Sequence, residues 1–174
     1  MDMIKEGSHI ARQDAHRGTA VSTAARAGEY LTFRLGTEEF GVDIQRVQEI
    51  RSYEAPTRIP GAPDHVKGVI NLRGVIVPII DLRLRLKCPS ADYNPATVVI
   101  VLAVRERVVG VVVDSVSDVM DLSESSIKPP PELYSENGPE FITGIGSVDD
   151  RMLMLVDLES LLASALGLVT ELAQ

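Results

Sequence analysis

Apolar positions in this chain recur mostly at every second residue, and the runs come in pairs. Leu31, Phe33 and Leu35 alternate with Thr32 and Arg34, which predicts a half-buried strand. Gly36 to Glu39 reads as a turn, and Phe40 to Ile44 as the returning arm of a hairpin. Ile44, Val47 and Ile50 recur at three-residue steps, which fits a short helical turn or an irregular strand, the helical turn being the favoured reading. Pro56, Pro60, Gly61 and Pro63 break regular structure and predict a loop from about Ser52 to Asp64. Val66–Ile70 and Val75–Ile80 flank Asn71-Leu72-Arg73-Gly74, a second hairpin in which Gly74 supplies a positive φ. Both faces of its second arm are apolar, so that arm is either buried on two sides or touches a partner. Pro78 within it lacks a ladder donor and marks an edge or a bulge. Thr97–Val104 and Val108–Val113 form a third hairpin, with a strand resuming at Val116–Leu122. Phe141–Val148 and Met152–Val156 form a fourth around Asp149-Asp150. Asp157 is placed to cap a closing helix in which Leu158, Leu161, Leu162, Ala165 and Leu166 recur at helical spacing, with Gly167 ending it.

The second and fourth hairpins say the same thing twice. GVINLRGVIVPIIDL, Gly68 to Leu82, and GIGSVDDRMLMLVDL, Gly144 to Leu158, share the same Gly-to-Asp spacing. A looser echo precedes each, Phe40-Gly41-Val42-Asp43 and then Val109-Gly110-Val111-Val112-Val113-Asp114. Short paired strands with little helix pack most simply as two small five-stranded barrels, because closure removes exposed edges. Whether each barrel uses consecutive hairpins or exchanges them stays open at this level.

Composition narrows the function. At 174 residues, 45% hydrophobic and without tryptophan, the chain is an ordinary globular sequence whose core is built from Val, Ile and Leu. A net charge of −8 argues against nucleic acid or an anionic membrane as the main partner. The lone Cys88 and the absence of an export signal in MDMIKEGSHI point to a reducing, cytoplasmic compartment. The apolar run Val98–Val104 is far short of the roughly 20 residues of a membrane helix, so no insertion is expected. Residues 1–28 lack periodicity and read as a flexible tail, and His9 and His16 within it have no partners at metal spacing. Catalytic patterns are missing. His65 sits in a Pro63-Asp64-His65 loop, Cys88 has no neighbouring histidine, and the Gly144–Asp149 echo of a dinucleotide fingerprint leads into a hairpin rather than a helix. No metal, cofactor or enzymatic activity is expected.

Three phrases carry a resemblance: FGVDIQRVQEI from Phe40, KGVINLRGVIVPIIDLR from Lys67 and VVGVVVDSVSDV from Val108. Together they resemble the CheW family of bacterial chemotaxis adaptors over about Glu29 to Leu166, which leaves residues 167–174 as a C-terminal tail. The resemblance implies a mainly β fold of two SH3-like five-stranded β-barrels packed together, with short helices including one near the C-terminus. It implies barrels that intertwine along the chain, so that a cut near Pro95 would not release two halves. It also implies a non-catalytic adaptor that couples the cytoplasmic tips of chemoreceptors to the regulatory domain of the CheA histidine kinase, in arrays at the inner membrane. Other adaptor copies are further partners, and the alternative is a paralogous adaptor of another CheA-like pathway such as surface motility. A small ligand-binding or hydrolytic barrel is the reading from another class.

Carried over by motif, the receptor surface would comprise Val47, Glu49, Gly68, Arg73, Val98, Val99 and Gly110. Valines would give a shallow apolar floor for a helix, and glycines would let it approach. Each valine taken alone reads equally well as core. Glu49 and Arg73 are expected to pair across the groove between barrels. Lys128 and Leu133, around the stiff Pro129-Pro130-Pro131 segment, are the expected kinase contacts.

Overall fold

All four hairpins form in the computed structural model, which describes residues 26–86, 88, 91–104, 106–130, 141–160 and 162. β1 (Gly28–Leu35) and β2 (Glu38–Asp43) are the first. Arg26 to Gly28, the described part of the expected tail, leads straight into β1, with the Arg26 carbonyl accepting from the Tyr30 hydroxyl. After β2 the segment divides between the two expected alternatives, and most of it is irregular strand. Helical geometry covers only the 3-10 turn Ile44–Arg46, capped by the Asp43 carboxylate accepting from the Gln45 amide at 2.9 Å. Val47 and Ile50 lie instead in β3 (Val47–Ser52), where pairing with a later strand overrides their three-residue spacing. Next come β4 (Val66–Leu72), β5 (Val75–Asp81) and the short helix α1 (Leu82–Arg85). The third hairpin is β6 (Val98–Val104) with β7 (Arg107–Val113), followed by β8 (Ser115–Leu122) and the two-residue β9 (Ile127–Lys128). β10 (Ile142–Val148) and β11 (Arg151–Val156) are the fourth. Asp157 then caps a helix opening at Leu158, its carboxylate accepting from the Glu159 amide at 3.1 Å.

The strands form two sheets. One runs β8-β1-β2-β11-β10-β9, the other β3-β6-β7-β5-β4. The second has the expected five strands, and the first adds the short β9. The five-stranded sheet uses the consecutive second and third hairpins, whereas the six-stranded sheet joins the first hairpin to the fourth. β1–β2 of the first copy pairs with β8 and with β10–β11 of the second copy, while β3 and β4–β5 of the first copy pair with β6–β7 of the second. The chain therefore crosses between sheets twice, after β2 and after β7, and a cut near Pro95 falls inside the five-stranded sheet's sequence.

The sequence echo holds residue by residue along the backbone. Gly68 and Gly144 each follow a register shift in their hairpin. The hairpin turns have positive φ at both central positions, Arg73 (51°) with Gly74 (89°) and Asp149 (49°) with Asp150 (64°), the geometry that matches strand twist in a two-residue hairpin. Ile79 pairs with Gly110 in one parallel ladder, and Leu155 with Gly41 in the other. The Asp81 amide donates to the His65 carbonyl at 2.8 Å, and the Asp157 amide to Phe141 at 2.7 Å. Even the closing contacts correspond: Thr57 bridges to Val69, and Lys128 pairs with Ile145. Pro78 sits opposite Val69, one residue before the β5–β7 ladder starts at Ile79, so its missing N–H is not required there.

Each sheet encloses a small apolar cluster of its own, Leu72, Val77, Ile79, Val99, Val101 and Val112 in one and Tyr30, Leu122, Leu153 and Leu155 in the other. The largest cluster belongs to both, joining Phe33, Phe40 and Val42 to Ile80, Ile100, Val111 and Leu162. The two barrels thus share one continuous interior.

Candidate functional site

The hairpin turn between β4 and β5 is where charge and exposed apolar surface meet. Arg73, held at positive φ, donates from Nη2 to Glu49 Oε1 at 2.5 Å. Glu49 also faces Arg51, at 3.7 Å. The Arg73 hydrogen bond, followed by its charge and that of Arg51, holds the Glu49 carboxyl below the usual carboxylate range. The expected pairing of these two residues is therefore present, but its setting differs. It joins β3 to the β4–β5 turn, the two outer strands of one sheet, and so lies at the seam that closes that barrel rather than across the space between barrels. Around it stand exposed apolar side chains: Ile50 next to Glu49, and Val75 and Ile76 just past the turn, the last 60% exposed. The two apolar faces of β5 were the sequence signal for this, since its first two residues meet water rather than a second layer.

The remaining expected residues divide. Val47 and Val98 are half-buried at the margin of the shared core. Val99 and Gly110 are interior. Val99 belongs to the five-stranded sheet's cluster, and a Cβ on Gly110 would sit 2.7 Å from Ile79 Cδ1 and 2.8 Å from Val99 Cγ1. Gly68 (φ 142°) is glycine because Thr57 closes over it, a Cβ there falling 2.0 Å from the Thr57 carbonyl oxygen. The close neighbour that needs the space at both glycines is thus this chain's own backbone or core. Lys128 is exposed on β9. Leu133 lies outside the described residues.

Two ionic arrangements went unread in the sequence. On the first sheet, Arg151 donates to both Glu39 oxygens, at 3.2 and 2.6 Å, and to Asp118 at 3.1 and 3.2 Å. Asp118 accepts in turn from the buried Thr32 hydroxyl, which fills the register shift between β1 and β8. Its carboxyl is held low by Arg151 and then Thr32. Asp118 lies within the register shift of β8, as Glu49 adjoins that of β3. Each barrel is therefore clasped by an arginine from its copy of the repeated hairpin, β4–β5 or β10–β11, and a carboxylate from an outer strand. The second arrangement is buried. Arg83 and Asp81 are 1% and 0% exposed and bond bidentately, Nε and Nη2 each at 3.0 Å. Arg83 Nη1 also donates to Asp114 at 2.9 Å. Burial by itself would lower the Arg83 pKa, and the two carboxylates more than offset this and raise it. A charged pair inside an otherwise apolar IIDLRL run was the available signal, readable only once both residues were known to face inward.

Burial, then Asp114 and Asp81, pushes the Cys88 thiol up, away from the nucleophilic thiolate. Burial, then Arg85, lowers the His65 pKa. Among the described residues no helix is long and apolar enough to cross a membrane.

Comparison with known proteins agrees with this architecture. The model of the CheW-like domain matches residues 29–166. The chemotaxis protein CheW of Klebsiella aerogenes is 54% identical over 136 residues, covering 78% of this chain and 82% of that protein. A probable chemotaxis protein CheW of Rhizobium etli is 44% identical over 133 residues, covering 76% and 86%. Among solved structures, the scaffolding protein TtCheW from Thermoanaerobacter tengcongensis superposes with a TM-score of 0.72 at 32% identity, covering 78% of this chain and 92% of that one. The two barrels are of the SH3-like kind found in that scaffold.

Proposed function

The chain belongs to the CheW-like domain family, and on that premise we propose that it is a non-catalytic cytoplasmic adaptor joining the cytoplasmic tips of chemoreceptors to the regulatory domain of a CheA-type histidine kinase. Residues 29–166 form the adaptor unit, and neither metal nor nucleotide takes part. The observation that carries the reading is the Arg73–Glu49 clasp standing among exposed Ile50, Val75 and Ile76. A receptor tip is a helical hairpin, and a helix laid on this surface would cover the isoleucines and valine while its polar groups meet the clasp. Val47 and Val98 add a half-buried apolar margin. Gly68, Val99 and Gly110 serve the same surface from beneath. They keep β4, β6 and β7 close enough for the seam to close, and substitution there acts through the backbone. Lys128, and the segment leading to Leu133, form the kinase-facing part.

The test is a charge-reversal cycle in the full chain, read as co-sedimentation with receptor-containing membranes and as pull-down of the kinase regulatory domain. Arg73→Glu weakens receptor binding by about tenfold, and Glu49→Arg in the same molecule restores a part of it. Restoration of nothing by the double change refutes the clasp as the binding determinant. Undiminished receptor binding by every variant refutes this surface altogether.

A further inference from the structure

We propose that residues 91–97 are a strap latched onto the buried Asp81–Arg83 pair, and that this latch couples the outer surface of the five-stranded barrel to the β1–β2 turn of the other barrel. The strap follows the β5 end of the first copy and leads into β6.

The latch is Tyr93. Its hydroxyl donates to Asp81 Oδ2 at 2.7 Å, its ring stacks on Tyr53 with centroids 4.4 Å apart, and Arg83 Cζ lies 4.8 Å from its centroid. Lys67 Nζ approaches the same ring at 5.8 Å. One residue earlier, the Asp92 carbonyl accepts from Arg83 Nη1. The strap is internally tied as well: the Asn94 amide donates to the Thr97 hydroxyl, Ala96 to the Asn94 side chain and Thr97 to the Asn94 carbonyl. Tyr93 nevertheless leaves 42% of its surface to solvent, so a partner or solvent reaches the strap directly.

Arg83 carries the coupling inward. The Nη1 that donates to Asp92 also donates to Asp114, at the point where the chain leaves β7 for the other sheet. The second Asp114 oxygen accepts from the Gly36 amide at 2.6 Å, and the Asp114 amide donates to the Arg34 carbonyl at 3.1 Å. Hence a single planar guanidinium holds the end of β5, the strap, the β7–β8 crossing and, through one carboxylate, the β1–β2 turn. Its own bonds are charge-assisted and made by a side chain shut off from solvent. Releasing the strap removes a donor from Asp81 and an acceptor from Arg83. The guanidinium and Asp81 then rearrange, and Asp114 with its Gly36 bond moves with them. The strap is the element with two arrangements, latched or free, that a coupling claim requires. Its edge borders β6 at Val98, at the margin of the proposed receptor surface, although the coupling itself does not depend on that surface being used.

Amide hydrogen exchange on the full chain tests this. Tyr93→Phe keeps the stack and removes only the hydroxyl, so global unfolding by urea should change little. Exchange at Asn94 and Thr97 should quicken by about tenfold or more, and exchange at Gly36, in the other barrel, should quicken with it. Arg83→Lys should raise Gly36 exchange further, since an ammonium cannot serve Asp81, Asp92 and Asp114 in one plane. Faster exchange confined to the strap in Tyr93→Phe, with Gly36 at its wild-type rate, overturns the proposal. So does unchanged exchange at Asn94 and Thr97.

Discussion

The two copies of the repeat share a backbone but differ at the residue two places past the strand-ending aspartate. In the second copy that residue is Glu159, part-exposed and 3.8 Å from Arg46 beside the β2 crossing. In the first it is Arg83, fully buried and bonded to two carboxylates and a carbonyl beside the β7 crossing. Asp81 and Asp157 do the same work at the helix start, accepting from the amide two residues on. The difference teaches where divergence is cheap. A helix cap tolerates either sign of charge at its second position, provided a crossing strand or turn brings a partner of opposite sign. Burial then decides whether that partner is optional or required.

Breaking the pair on each side sharpens this contrast most. Arg83→Met leaves Asp81 buried without its cation, and urea denaturation should show a loss of about 3–5 kcal/mol. Glu159→Met should cost about 1 kcal/mol or less, as exposed pairs do. Equal costs would mean the two caps are equivalent and the burial argument wrong.

The matched glycines give the next effect. Gly110→Ala would press on Ile79 and Val99 at 2.7 and 2.8 Å, whereas Gly41→Ala meets Leu155 at 3.0 Å and Tyr30 at 3.5 Å. The first should destabilise by ~1–3 kcal/mol and the second by less, measured in the same denaturation series. The reverse order would show that the first barrel is the tighter of the two.

The clasps give the smallest effect. Glu49 and Asp118 both titrate below the ordinary carboxylate range. Their stabilisation is therefore complete above the pKa of the unfolded chain, about 4, and fades as pH falls through the lower folded values. Arg151 bridges two carboxylates and is 33% exposed, against 70% for Arg73. Arg151→Met should flatten the acid limb of the stability curve more than Arg73→Met. The opposite ranking would place the stronger clasp at the proposed receptor surface.

Hairpins, turns and the repeat were legible because they rest on local chemistry. Alternation marks a strand, Gly74 supplies a positive φ at its turn, and Asp157 caps the helix that begins at Leu158. The Glu49–Arg73 partnership was legible through the family likeness. Its position was not, because nothing local reveals that β3 and β4 are the two outer strands of one sheet. The crowding of Gly68 and Gly110 by Thr57, Ile79 and Val99 was not legible for the same reason, since those neighbours lie on other segments. Val47 and Ile50 kept a helical spacing that strand pairing overrode.

By itself the sequence determined the four hairpins, the duplication, an apolar and aromatic-poor interior and the absence of a recognisable catalytic pattern, all of which rest on residues near one another along the chain. Tertiary structure decided which hairpins share a barrel, the inward burial of Asp81 and Arg83, and the meeting of Arg151 with Glu39 and Asp118. Those depend on which strand edges find each other, and main-chain hydrogen bonds are the same for every candidate pairing. The choice falls to the packing of the interior that the two barrels share.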